Sequence, residues 1–384
     1  MSSYTIGEYG DMVNDRNRTN AYSEAIRARV NSDSVVLDLG AGPGIFTLMA
    51  CQAGARKVYA IDADGIIQVA RELVAGNGFS DRVELIQALS TSVNLPEKVD
   101  LIVSDLHGVL PFHQVSVRSI LDARDRFLKP GGTLIPQTET LRAALVSAPM
   151  SYRRIVEPWE NTRGLDWRVG RRRAVNTWKQ WTRSGEALVS EPQTWVVLEY
   201  ARLDTPNARG TLRWTVAEAC EAHGFCLWFD CETTAGCVFS NAPGVGEQSV
   251  YRQAFFPWSQ PCALVPDSVV VIDVRADLVG EDYIWTWNTD IHDSRDADKR
   301  VSTFRQSTFL SAPLSTDWVR KASAAFVPSP NEEASIDSMI MDLLFQGITL
   351  QEISSRVSDR FGDRFPEWKT ALTRVADLSL RYSK

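Results

Sequence analysis

Apolar and polar positions alternate with a different period in three successive stretches of the chain. Between about residues 33 and 148, short apolar runs and segments of helical spacing follow one another: Val35 to Leu39, Ile45 to Ala53, Val58 to Ile61, Ile66 to Ala75, Val83 to Ile86, Leu101 to Val103, Val117 to Phe127 and Thr133 to Ile135. Strands separated by helices at this interval predict βαβ units and a parallel sheet. From about 150 to 315 the pattern becomes β-rich, with Thr194 to Leu203, Thr211 to Val216, Phe225 to Phe229, Val269 to Val274 and Tyr283 to Trp287 set between Pro, Gly and Asp turn signals. That stretch predicts an antiparallel sandwich or barrel. After Pro328-Ser329-Pro330 comes a helical tail, in which Thr349-Leu350-Gln351-Glu352 has the form of a capping box opening a helix. The tryptophans follow the same division: none of the twelve precedes Trp159, and ten lie between Trp159 and Trp287.

Composition narrows the function classes. The 384 residues carry 41 Lys plus Arg against 48 Asp plus Glu, a net charge of −7, which argues against a chain-wide basic surface for nucleic acid. Met1 to Arg16 has no apolar h-region and nowhere do 18 apolar residues run together, so the expectation is a cytoplasmic protein without a membrane span. The six cysteines (Cys51, Cys220, Cys226, Cys231, Cys237, Cys262) form no C-x-x-C pair. Neither a metal site nor a disulfide framework is predicted from them.

The most informative segment is Val35-Val36-Leu37-Asp38-Leu39-Gly40-Ala41-Gly42-Pro43-Gly44, an apolar strand running into a glycine loop before a helix that begins near Ile45. Glycines there permit positive φ and let a ligand lie close to the backbone at a helix N-terminus. The spacing is G-x-G-x-G, not the dinucleotide G-x-G-x-x-G, and the carboxylate of Asp38 suits an ammonium-bearing ligand better than a pyrophosphate. Asp62 closes the next strand eighteen residues after Gly44, where an acid can accept both hydroxyls of a ribose. A nucleoside without a pyrophosphate, namely S-adenosylmethionine, fits both features; the alternative is a loop that merely needs tight turns.

These residues resemble the class I methyltransferases and, more narrowly, the protein arginine methyltransferase family, over roughly residues 4 to 292. Met12 with Asp15, Arg18 and Thr19 resembles that family's N-terminal helix, whose Arg pairs with the cofactor carboxylate. Ala53-Gly54-Ala55-Arg56-Lys57-Val58, Ala123 to Gly132 with Ile135-Pro136, and Trp159-Glu160-Asn161 with Gly164 and Asp166 are further points of similarity. The resemblance implies a Rossmann-like cofactor domain followed by a β-barrel. It places the cofactor on Met12, Arg18, Asp38, Gly40, Ala41, Gly42, Gly44, Asp62, Ala63, Ser90 and Thr91. Departures concern catalysis. Where the family has a loop with two glutamates that grip a guanidinium, this chain reads Ser104-Asp105-Leu106-His107-Gly108-Val109-Leu110-Pro111-Phe112-His113-Gln114, with Asp105 for the first glutamate and neutral Gln114 for the second. In place of the Thr-His-Trp loop stands Ser249-Val250-Tyr251-Arg252-Gln253, with Val250 where the His belongs. Asp105, His107 and His113 are then the catalytic candidates. An imidazole near its ordinary pKa can take a proton from a hydroxyl, amide or imidazole acceptor, and proximity alone is the competing account. His223 and His292 are expected to be structural.

Residues 153 to 183 hold nine basic side chains against three acidic ones, leaving −13 for the rest, and include Trp159, Trp167, Trp178 and Trp181. The resemblance makes about 168 to 190 an arm that docks on a second subunit, a simpler match than nucleic acid for a basic aromatic segment. The tail, with seven bases and nine acids from Asn331 to Lys384, disfavours a DNA reader and looks like a PqqD-like winged-helix module that binds leader peptides; a generic helical cap is the alternative. The expected organisation is cofactor-covering helices over 1–32, a Rossmann-like domain over 33–148, a β-barrel substrate and dimerisation domain over 149–315, and a helical, winged-helix-like module over 331–384. The expected activity is S-adenosylmethionine-dependent methyl transfer to a nitrogen or oxygen of a peptide or natural-product acceptor by a homodimer. Arginine methylation with an unrecognised second carboxylate, a non-catalytic scaffold, and RNA methylation are the alternatives.

Overall fold

A computed structural model describes residues 4–160, 164–181, 186–244, 250–296 and 299–383. Two helices open the chain, α1 (Ile6–Asn14) and α2 (Arg16–Arg29), each started by a side chain that accepts a backbone N–H, Thr5 and Asp15 respectively. Then β1 (Val35–Leu39), α3 (Ile45–Gln52), β2 (Lys57–Asp62), α4 (Ile67–Gly76), β3 (Val83–Gln87), β4 (Val99–Ser104), α5 (Ser116–Phe127) and β5 (Leu128–Ile135) alternate, as the periodicity predicts. The five strands pair in parallel in the order β3-β2-β1-β4-β5. All five residues of β1 are buried, the mark of a strand covered on both faces by βα crossovers. The order reverses between β1 and β4, so a crevice opens beyond their carboxyl ends.

The chain continues through β6 (Thr138–Ser147), α6 (Pro149–Val156), α7 (Arg168–Ala174), β7 (Lys179–Trp181), β8 (Ala187–Leu188), β9 (Gln193–Glu199), β10 (Ala208–Thr215), β11 (Cys220–Thr234), β12 (Cys237–Ser240), β13 (Gln253–Leu264), β14 (Val269–Val279), β15 (Asp282–His292), β16 (Arg300–Ser307) and the short α8 (Thr308–Ser311). These strands form two antiparallel sheets, one ordered β10-β14-β15-β16 and the other β7-β13-β11-β6-β8, with β12 on β11 and β9 on β6. Side chains of β15 alternate between buried and partly exposed, so one face packs inward. Trp181, Trp258, Trp285 and Trp287 are fully buried there, which is where the tryptophan-rich composition goes. At Gly224 (φ +149°) a register shift against β13 brings Phe256's carbonyl to 2.1 Å from where a Cβ would sit, so only glycine fits the bulge. The parallel sheet, the barrel-like antiparallel sheets and the helical C-terminal region agree with the expected fold class.

Compact units divide between Ala312 and Pro313. The second unit holds α9 (Thr316–Lys321), α10 (Glu332–Leu344), α11 (Leu350–Arg360) and α12 (Trp368–Tyr382), cored by Ile336, Ile340, Ile353, Val357, Ala371 and Val375. Thr349 caps α11 by accepting the Glu352 N–H, but the Glu352 carboxylate bonds Arg356, so the expected capping box is half made. No strand occurs among this unit's described residues, and a winged helix needs a β-wing; the observed module is helical only.

Two parts of the expected arm over 168–190 join the antiparallel sheet. Lys179–Trp181 pairs with β13 and Ala187–Leu188 with β6, because Trp181 is an apolar ring that belongs in a core. Lys179 and the arginines of α7 keep the basic character at the surface, Arg168, Arg172 and Arg173 exposed and Arg171 half-buried. Asn161, Arg163, Arg183 and Ser249 lie outside the described residues. No helix among the described residues is long and apolar enough to cross a membrane.

Candidate active site

A cleft of about 420 Å³ lies at the carboxyl ends of β1, β2 and β4. Its lining includes Met12, Arg18, Gly40, Ala41, Gly42, Asp62, Ala63, Asp105, His107, His113, Gln114 and Tyr251, so most of the residues singled out from the sequence are brought together. Gly40, Gly42 and Gly44 have φ of +76°, +54° and +89°. A Cβ on Gly40 would meet the Leu106 side chain at 2.2 Å, and the positive φ there favours glycine. Asp62 accepts the backbone N–H of Gly42 and of Asp64, each at 2.8 Å, and so ties the glycine loop to β2. Burial raises its pKa against those two hydrogen bonds.

Asp38 sits behind the loop and does not line the cleft. Its Oδ2 accepts from Thr47 at 2.6 Å, while the buried Oδ1 has no partner. Burial pushes its pKa up to about 7 against the Thr47 hydrogen bonds. Ser90 lines an adjoining pocket and its carbonyl accepts from Arg126; Thr91 is exposed and lines neither pocket, so its expected cofactor contact is not supported. Arg18, expected to face a cofactor carboxylate, binds Asp105 and the Met12 carbonyl instead, leaving its buried Nε without a partner.

The expectations for Asp105 and His107 change most. Asp105 is spent on the protein itself: Arg18 holds one oxygen, and the other receives His107 Nδ1 at 2.8 Å, Tyr251 at 2.9 Å and Tyr22 at 3.2 Å. Burial would raise its pKa, but Arg18, His107 and Tyr251 outweigh it and hold the carboxyl well below its ordinary range. His107 also contacts Glu139 through Nε2, and Glu139 in turn accepts from Tyr200 at 2.6 Å. Although burial opposes charge on the imidazole, Glu139 and Asp105 raise its pKa to about 10. A histidine that is a cation at neutral pH, with both nitrogens held by carboxylates, has no lone pair with which to act as a base. His113 differs: it lines the cleft, and burial lowers its pKa, so it is neutral and able to accept a proton. Gln114 stands beside it at φ +45°, a backbone conformation rare for a side chain that size and concentrated at functional positions.

Glu139 is the residue that reading the sequence missed. It lies on β6 with Leu141, Ala143 and Leu145 on the same inward face, all fully buried, so the signal was an acid on the apolar phase of a period-two strand. Cys231 comes within reach of His107 and Glu139, close enough for three such side chains to share a metal ion. His107 and Glu139, however, are in direct contact and hold each other.

The parallel sheet order, the glycine loop at its switch point and the acid closing β2 define the architecture of a class I methyltransferase. A family model for a methyltransferase domain matches residues 36–132. Among curated proteins the chain is similar to the probable protein arginine N-methyltransferase 6 of Arabidopsis thaliana, 33% identical over 256 residues, which cover 64% of this chain and 58% of that protein. It is also similar to protein arginine N-methyltransferase 6 of Danio rerio, 42% identical over 152 residues, covering 39% and 42%. The chain thus spans well under two thirds of these relatives' length. Two solved structures share the fold, each with TM-score 0.69 and 22% identity, covering 79% of this chain and 98% of the other: Arabidopsis thaliana protein arginine methyltransferase 10 in an open conformation, and the Trypanosoma brucei PRMT1 enzyme-prozyme heterotetrameric complex with AdoHcy.

Proposed function

We propose that this protein is an S-adenosylmethionine-dependent methyltransferase that modifies a side chain of a protein or peptide. The observation that carries the reading is the cleft itself: positive-φ glycines leave backbone open to a ligand on one side, with Asp62 at its edge. Arg18 lines it with a buried Nε that has no partner in the chain, a cation that matches the carboxylate of a methionine moiety, while Asp38 stands behind the glycine loop with a partnerless Oδ1. Asp62 would hold the ribose and Gly40 to Gly42 the backbone side of the nucleoside. When bound, the cofactor supplies a methyl group on a sulfonium, which a nucleophile displaces in line. This chain's residues orient that nucleophile, exclude water, and take its proton; His113 is the neutral imidazole at the cleft that can do so. The relatives' names, all protein arginine N-methyltransferases, favour a protein acceptor over a small natural product and make an arginine nitrogen the first to assay.

Calorimetry with S-adenosylmethionine tests the reading: saturable binding is expected, weakened at least about tenfold in Asp62→Ala, since two well-placed hydroxyl bonds to a carboxylate are lost. Absence of binding to the wild type, or an unchanged affinity in the variant, removes its basis. The spent Asp105 and neutral Gln114 favour one second reading, a scaffold that binds the cofactor but transfers nothing; labelled methyl groups appearing in lysate proteins distinguish the two.

A further inference from the structure

Arg18, Asp105 and His107 line the cleft and, with Glu139 buried behind His107, form a cluster of four charges that cancel. Two are the carboxylates of Asp105 and Glu139, 7% and 0% exposed; two are the cations of Arg18 and His107, 3% and 4% exposed. Every carboxylate oxygen has a partner within the chain: Arg18 on one side of Asp105, His107, Tyr251 and Tyr22 on the other, and His107 and Tyr200 on Glu139. Phe229 stacks at 5.0 Å and 8° on the imidazole, fixing it between the two acids. Gln114, His113, Ser116 and Tyr251 also line the cleft without negative charge, and its other acids are Asp62 and Asp64. Those two carboxylates are engaged by the backbone: Asp62 accepts from the Gly42 and Asp64 N–H groups and Asp64 from the Ile66 N–H.

Resting on the methyltransferase reading but against the arginine acceptor that the relatives' names suggest, we infer that His107 makes this an acceptor site for an uncharged group, an imidazole, amide or hydroxyl, and excludes a guanidinium or ammonium. The imidazolium occupies the space between two carboxylates where a substrate cation would otherwise find its counter-charge. An entering cation would have to displace Arg18 or His107 from a buried partner, or be desolvated with no partner of its own. A neutral acceptor meets neither barrier, and it can lose its proton to His113. His107 thereby determines specificity without reacting, and Glu139 positions it.

Methylguanidinium and its uncharged isostere N-methylurea probe the cluster directly. Each is titrated into the full chain, wild type and His107→Gln, with and without S-adenosylhomocysteine, and followed by NMR. The wild type should bind the urea at least as well as the cation. His107→Gln, which leaves the two acids with one compensating charge, should gain at least about tenfold in affinity for methylguanidinium with little change for the urea. Tighter binding of the cation than of the urea by the wild type, or no gain in the variant, overturns the inference. Should the variant fail to fold, the imidazole nitrogen shifts of wild-type His107 decide: both nitrogens protonated at about pH 7 supports it, and a neutral tautomer there overturns it. Absence of S-adenosylhomocysteine binding would instead remove the methyltransferase reading, and the comparison made without cofactor would still stand on its own.

Discussion

Glu139 shows how one side chain can reset the chemistry of its neighbours. Alone, a buried imidazole is pushed towards neutrality; facing Glu139 and Asp105, His107 is protonated up to about pH 10. In the unfolded chain its pKa returns to about 6.5. The folded value is therefore raised, so the stabilisation is fully present below the unfolded pKa and is lost as pH rises through the folded one. Between about pH 7 and 8, His107 should make the stability from denaturant melts fall with pH by up to about 1.4 kcal/mol per unit, added to the slope that Asp38 and the buried thiols contribute in wild type and variant alike. Glu139→Gln should cost about 3–5 kcal/mol, because it leaves Asp105 and Arg18 balanced but His107 short of a partner. It should also flatten that slope as the His107 pKa falls. A slope equal in wild type and variant would show that His107 is not the group responsible. The sequence revealed His107 and Asp105 by their place after an apolar strand, but not their state, which depends on an acid 32 residues further along the chain and on Arg18, Tyr22, Tyr200 and Tyr251. Such contacts between distant strands leave no mark in local periodicity.

At the scale of elements, legibility followed the local pattern closely. β1, α3, β2, α4, β3, β4 and α5 could be read to within a few residues because each is punctuated by glycine, an acid or a change of period. The glycine loop was the strongest of these signals, and it is also the most sensitive to change. In Gly40→Ala the new Cβ would meet Leu106 Cδ2 at 2.2 Å, so that side chain must turn away, and the residue is held at φ +76°, where an alanine is strained. Strain of this kind costs about 1–3 kcal/mol. The expected result is a comparable loss in thermal stability together with a loss of S-adenosylmethionine affinity of at least about tenfold by calorimetry; affinity within about twofold of wild type would mean that the ligand does not approach the loop. Elements whose identity depends on a partner strand were harder. Lys179–Trp181 carries a basic and aromatic composition that suits an exposed arm, yet Trp181 is completely buried beside β13. The helical spacing of the tail was legible, whereas its resemblance to a winged helix rested on helix spacing alone and said nothing of the strands.

On the scale of the whole molecule, the net charge of −7 separates into +6 over residues 153–183 and −13 elsewhere. Within that basic segment and just beyond it, the described residues expose an apolar group: Trp159 at 38%, Leu165 at 57%, Trp167 at 40% and Val169 at 59%. These flank the arginines of α7, of which Arg171 and Arg173 are tethered to Tyr152 and to the Ala312 carbonyl. Scattered apolar residues need no explanation on a surface, but Trp159, Leu165 and Trp167 line one surface pocket together with Arg168 and Arg171, and clustered exposed tryptophans beside arginines are the composition of an interface. A second copy of the chain brings the acidic remainder that would complement the basic helix, and burying large apolar side chains contributes about 1.5–3 kcal/mol each. The expected state is a dimer held through this face. Trp167→Glu with Val169→Glu replaces the apolar contact by like charge against an acidic partner, and should convert the dimer to a monomer in light scattering at micromolar concentration with the melting transition of the core unchanged. A wild type that is already monomeric, or a double variant that stays dimeric, would refute an interface at α7.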